Sequence, residues 1–141
     1  MNILFITPSP PSRFHRIRAL NLIKYLSKRH LIYLVSLSNA RDPDTSEFAR
    51  YCNKVEIVFQ PKMRSIFRSA LFLFTLLPLE VAYCRNKRMN TKVQELIKKY
   101  AIDVIYIKRL RAAQFIDQNT TIPVILDTTD AMSRYYWQAA R

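Results

Sequence analysis

Residues 1–30 read MNILFITPSP PSRFHRIRAL NLIKYLSKRH, and this stretch decides the fold. Ile3, Leu4, Phe5 and Ile6 form an unbroken apolar run, which suits a strand buried on both faces in a parallel sheet rather than one with a wet side. Such a strand needs helices over it. The following segment supplies one: Ala19, Leu22, Ile23 and Leu26 recur at helical spacing, while Arg16, Arg18, Lys24 and Lys28 can face outward. Strand, loop and helix in that order open a doubly wound α/β domain, whose ligands bind in the crevice at the carboxyl ends of the strands. The connecting loop is therefore the first place to seek function.

That loop lacks the residues of the two common phosphate-binding motifs. G-x-G-x-x-G and G-x-x-x-x-G-K use glycine so that the backbone can approach a phosphate, and this chain contains no glycine at all, where average usage predicts about ten. Pro8, Pro10 and Pro11 make the turn instead. An anion met here has to be held by Arg13, His15, Arg16, Arg18 and the start of the helix. The plainer alternative is a stiff connection leading into a solvated basic helix.

At 141 residues and 50% hydrophobic content the chain is one domain with a core of useful size. Cys52 and Cys84 lie far apart and no secretory signal precedes the first strand, which points to a reducing, cytoplasmic setting without a disulfide. His15 and His30 are the only histidines, and no Cys-x-x-Cys occurs, so neither a metal nor another cofactor is expected.

The remaining sequence alternates strand and helix. Residues 31–37 (LIYLVSL), 55–59 (VEIVF), 102–107 (IDVIYI) and 123–126 (PVIL) read as further strands. A short helix carries Phe48, Tyr51 and Cys52 on one face. Thr91 with Gln94 marks the cap of an amphipathic helix whose inner face is Val93, Leu96, Ile97 and Tyr100. Short helices are expected over residues 112–117 and 131–141. The pattern predicts an α/β fold, a Rossmann-like three-layer sandwich with a parallel sheet and right-handed crossovers.

The net charge of +13 favours an anionic partner. Between Lys62 and Arg111 twelve basic residues stand against Glu80, Glu95 and Asp103. Within that region residues 66–79 (IFRSALFLFTLLPL) are strongly apolar, are bracketed by Lys62, Arg64 and Arg68 before and Arg85, Lys87 and Arg88 after, and are too short to span a bilayer. Two readings stay open, a buried core helix with a charged rim or contact with an anionic membrane surface, and the residues lean to the first. Nucleic acid ranks last as a partner, because no helix-turn-helix, RNP or zinc-finger pattern accompanies the charge.

Function should collect at the strand ends: residues 8–18 after the first strand, Lys108, Arg109 and Arg111 after the fourth, Asp127 and Asp130 after the fifth. Cations after two strands facing carboxylates after another suit an anionic, hydroxylated ligand such as a sugar phosphate or nucleotide sugar.

Three blocks carry a resemblance: ILFITPSPPSRFHRIRALNLIKYLSKRH, DVIYIKRLRAA and VILDTTDAMSRYYWQAAR. They resemble the amino-terminal half of bacterial GT-B fold, retaining family-four glycosyltransferases, most of all the exopolysaccharide-associated sugar transferases. The resemblance implies that residues 1–141 are a Rossmann-like, acceptor-side half of a GT-B architecture, with a C-terminal donor-binding half lying outside this sequence and supplied in cis or in trans. It implies transfer of a sugar from a nucleotide-sugar donor to a polysaccharide or lipid-linked acceptor, metal-independent at the chemical step, at the cytoplasmic face and peripherally at the inner membrane. Arg13, His15, Arg16, Arg18, Lys108, Arg109 and Arg111 would contact phosphate or acceptor, and Asp127 and Asp130 would bind acceptor hydroxyls or take a proton. The competing expectation keeps the fold and drops the chemistry, leaving a noncatalytic membrane-surface or partner-binding module.

Overall fold

The computed structural model describes residues 1–12, 17–71 and 79–128. Five strands form one sheet: β1 (Asn2–Thr7), β2 (Leu31–Ser38), β3 (Lys54–Phe59), β4 (Val104–Lys108) and β5 (Val124–Asp127). Their order is β3-β2-β1-β4-β5, and every adjacent pair is parallel. The chain moves outward from β1 through β2 to β3, then returns across β1 to lay down β4 and β5. That reversal opens a crevice outside the carboxyl ends of β1 and β4.

The apolar run of β1 is buried on both faces, as a central parallel strand requires, and alternate residues serve different cores. Ile3 and Phe5 face α1 (Ile17–Leu26), where Leu20 and Ile23 meet Ile32, Leu34 and Phe48 of the short α2 (Ser46–Ala49). Leu4 and Ile6 face the opposite layer, where Met89, Val93 and Leu96 of α5 (Lys87–Tyr100) pack with Val35, Ile105 and Phe115. The result is the Rossmann-like three-layer sandwich. On α1 the fully buried positions are Ala19, Leu20 and Ile23, with Leu22 and Leu26 only partly covered, so the helix is rotated slightly from the face expected.

One local reading is corrected, and a second is described only in its first part. The cap of α5 is Asn86, five residues before Thr91: its side-chain oxygen accepts from the amides of Arg88 at 3.0 Å and Met89 at 3.3 Å. Thr91 lies inside the helix and donates its hydroxyl to the Lys87 carbonyl. Asparagine satisfies the orphan amides of a first turn directly, which is why it starts the helix. The apolar segment after β3 begins as α3 (Lys62–Leu71), on which Met63 is 77%, Ile66 56% and Phe67 70% exposed, while residues 72–78 of that segment lie outside the described residues. Ser65 is the side buried against the body of the protein. A further helix, α4 (Leu79–Cys84), precedes α5, and a 3-10 helix (Leu110–Phe115) follows β4. The helix expected over residues 131–141 lies outside the described residues.

Two non-glycine residues have positive φ. Ala101 ends α5 in the left-handed region (φ 44°, ψ 62°), where Asn2 donates its amide to the carbonyls of Tyr100 at 2.7 Å and Ala101 at 3.1 Å. Arg109, immediately after β4, is at φ 69°, ψ 141°, a region that only glycine enters freely.

Candidate functional site at the carboxyl edge of the sheet

Strand register assembles a polar row across the crevice. Thr7 pairs with Ser36 between β1 and β2, and Lys108 pairs with Asp127 between β4 and β5. Ile6 pairs with Ile107, so the next residues, Thr7 and Lys108, are neighbours too. Ile3, Phe5, Ile32, Leu34 and Tyr106 belong to the core on the α1 side, and strand alternation carries Thr7, Ser36 and Lys108 onto that same side. All three are buried, Thr7 and Ser36 almost completely.

Each member has a distinct electrostatic state. Lys108 Nζ lies 3.5 Å from Asp127 Oδ2, both side chains nine-tenths out of water. The Tyr106 hydroxyl donates to that same carboxylate oxygen. Burial, then the hydrogen bond and charge of Asp127, push the Tyr106 hydroxyl above its ordinary range, while Arg18 pulls it the other way. At neutral pH Tyr106 is therefore a fixed donor, and its ring packs on Phe5 with centroids 4.8 Å apart. The Ser36 hydroxyl donates to the Leu37 carbonyl at 3.2 Å. The Thr7 hydroxyl has no hydrogen-bond partner among the described residues. Leaving such a group dry costs about 1–3 kcal/mol, so it marks a place where a polar partner is wanted.

Lys108 and Asp127, expected from the sequence, are thus brought into contact, and the Asp127 carboxylate is engaged by both Lys108 and Tyr106. Arg109 continues directly from Lys108, and its amide donates to the Asp127 carbonyl at 2.9 Å. Arg111 sits in the 3-10 helix that follows, and Arg18 is exposed in the first turn of α1. Arg13, His15, Arg16 and Asp130 lie outside the described residues. Thr7, Ser36 and Tyr106 were not singled out from the sequence, although a hydroxyl breaking an apolar strand at its carboxyl end is the signal that marks Thr7 and Ser36. A small cleft of about 200 Å³ opens at the same edge of the sheet but is lined by none of the row, its walls being Pro8–Pro10, Leu37–Asn39, Gln60, Tyr83 and Cys84.

Burial pushes the Cys52 thiol up to about 12, which makes it a poor nucleophile at neutral pH. Among the described residues no group of three or more His, Cys, Asp or Glu side chains is placed to hold a metal ion, and no helix is long and apolar enough to cross a membrane.

Comparison with known proteins corrects the family resemblance. No family model matches the chain, and no curated protein matches it. Among solved structures, the chain is similar to a predicted subunit of tRNA methyltransferase from Methanocaldococcus jannaschii, with a TM-score of 0.44, 11% identity, and coverage of 99% of this chain and 76% of that one. That neighbour is not a sugar transferase, and its likeness is too weak to inform function. The GT-B family-four assignment rested on three short sequence blocks whose strand-loop-helix pattern is common to Rossmann-like domains. What stands is the fold: a five-stranded, all-parallel α/β sheet between helical layers.

Proposed function

We propose that the protein binds a phosphorylated, hydroxylated ligand of the nucleotide-sugar class at the carboxyl edge of its sheet, and serves as a domain in sugar transfer to a polysaccharide or lipid-linked acceptor. The observation that carries this reading is the buried, unpartnered Thr7 hydroxyl beside the Tyr106–Asp127–Lys108 cluster, at the crevice where doubly wound sheets bind ligands. In this reading Thr7 meets a ligand hydroxyl or phosphoryl oxygen. Asp127, oriented by Tyr106 and Lys108, accepts from a sugar hydroxyl. Arg18 and the cations after β4 offset phosphate charge, including charge that develops on a departing diphosphate.

Thermal unfolding in the presence of a panel of uridine, guanosine and thymidine diphosphate sugars tests it. A ligand at about a hundred times its dissociation constant stabilises the native state by about 2.7 kcal/mol, which reads as a rise of several degrees in Tm. No rise with any sugar nucleotide, and none with the free nucleoside diphosphates, removes the proposal.

A second reading is favoured by the outward Met63, Ile66 and Phe67 on α3: a noncatalytic module that docks peripherally on an anionic membrane surface, as at a bacterial inner membrane. Apolar side chains at i, i+3 and i+4 with flanking cations are the pattern of an interfacial helix. Sedimentation with anionic vesicles, lost on Phe67→Ser, is the result this reading requires.

A further inference from the structure

A second polar site lies further along the same carboxyl edge, at the end of β3. There a cleft of about 540 Å³ opens between α3 and the junction of α4 with α5. Its floor is held by Gln60, which is 5% exposed and ties three elements together. The Gln60 amide donates to the Ser65 hydroxyl of α3 at 2.6 Å and to the Tyr83 carbonyl of α4, and its oxygen accepts from the Asn86 amide at the head of α5 at 3.3 Å. The walls are therefore fixed in relation to one another by a hydrogen-bonded network that is buried at Ser65 and part-buried at Tyr83 and Asn86.

Arg64, Arg85, Lys87 and Arg88 line this fixed cleft, and among the described residues no carboxylate lines it. Neither α3 nor α5 has an acidic residue in its first turn, and both begin with cations. That arrangement opposes the helix dipoles, since each cation in a first turn meets the positive end of its own helix. Of the lining cations, Arg64, Lys87 and Arg88 stand in first turns at the positive ends of α3 and α5 around an open cavity, and the positive potential there is one that an anion relieves. A second cleft of about 450 Å³ shares Arg85, Asn86 and Lys87 and extends the same basic surface toward Asn90 and Gln114.

We propose that this cleft is a binding site for a phosphate-bearing anion, seated among Arg64, Arg85, Lys87 and Arg88 above the Gln60–Asn86 floor. The site does not rest on the carboxyl-edge reading, because none of its lining residues belongs to the row of Thr7, Ser36, Lys108 and Asp127. The phosphate can be that of a lipid headgroup, with Met63, Ile66 and Phe67 entering the bilayer beside it, or that of a soluble molecule.

The test pairs two arms. Sodium pyrophosphate is titrated into the protein by calorimetry, and the protein is sedimented with phosphatidylcholine vesicles with and without phosphatidylglycerol. Both arms are run on Arg64→Ala/Lys87→Ala and on Lys98→Ala/Lys99→Ala, which removes the same charge from the exposed far end of α5. All four side chains are exposed, so both variants are expected to stay folded, with the melting temperature slightly raised where first-turn cations are removed and slightly lowered where last-turn cations are. The expected result is binding in at least one arm that weakens about tenfold or more in the cleft variant and little in the control. Binding of pyrophosphate assigns a soluble ligand, and binding of anionic vesicles alone assigns the headgroup. Failure to bind in both arms, or equal weakening in the two variants, overturns the proposal.

Discussion

Lys108 and Asp127 face each other on adjacent parallel strands, ammonium to carboxylate at 3.5 Å, with both side chains nine-tenths withdrawn from water. Desolvating two such charges offsets most of their attraction, so the pair adds little net stability while removal of one partner is costly. Lys108→Met is expected to destabilise the fold by about 3–5 kcal/mol in urea unfolding, because the carboxylate stays buried after losing its ammonium partner. Lys108→Met with Asp127→Leu should recover most of that loss. A single variant as stable as wild type would show that the carboxylate finds water in the crevice.

Tyr106→Phe retains the ring against Phe5 and deletes the donor to Asp127. The expected cost is about 1.5–3 kcal/mol at neutral pH, the range for a hydrogen bond to a charged group. The pH dependence has a definite sign. Because the folded-state value is raised, the native state holds the phenol proton above pH about 10, where the unfolded chain releases it. The contribution is complete below that pH and fades as pH rises through it. Unfolding curves compared on either side of pH 10 should show a steeper alkaline loss for wild type than for Tyr106→Phe.

Thr7→Val should act in opposite directions on stability and binding. The methyl group replaces a dry, unpartnered hydroxyl of the same shape, so stability is expected to rise by about 1 kcal/mol. The stabilisation by a sugar nucleotide should fall several-fold. Equal ligand response in wild type and variant would remove Thr7 from the site.

Arg109 and Ala101 hold backbone conformations that favour glycine. Ala101→Gly is expected to stabilise by about 0.5–1 kcal/mol, since it relieves the left-handed end of α5. Arg109→Gly should gain about 1–2 kcal/mol and weaken ligand binding at the same time. Strain retained at the carboxyl end of β4, where the crevice opens, is then a cost that binding offsets. Chemical denaturation combined with the ligand thermal shift reads both effects.

The two candidate caps of α5 separate cleanly. Asn86→Ala should cost about 1 kcal/mol, whereas Thr91→Ala should be neutral or slightly stabilising, because alanine replaces an interior threonine bonded to its own helix. Melting temperatures of the two variants decide it.

The order of strands and helices was legible because the apolar runs of β1 and β2 have no wet face, a pattern that only a sheet covered on both sides accepts. The boundaries of α5 were not, because Asn86 and Thr91 are both plausible caps by residue type and only the backbone direction chooses between them. The contact between Lys108 and Asp127 was legible as a shared sheet edge. Thr7 and Ser36 were hidden by their position within apolar strands, since their meaning depends on β1 lying between β2 and β4, which periodicity does not specify. The outward turn of Met63, Ile66 and Phe67 was equally hidden, because burial of an apolar helix depends on what the tertiary fold leaves above it.

The central position of β1 has a consequence for how the protein reaches its native state. Asn2 bonds Asp103, 101 residues further along, and β1 gains its second neighbour only when β4 is in place. Closing so distant a pairing places this domain among the slower folders of its size. During synthesis, one flank of this buried apolar strand stays without a mate until residues 104–108 have emerged. Over that interval β1 is the segment most exposed to pairing with another nascent copy, and the one a chaperone has most reason to hold.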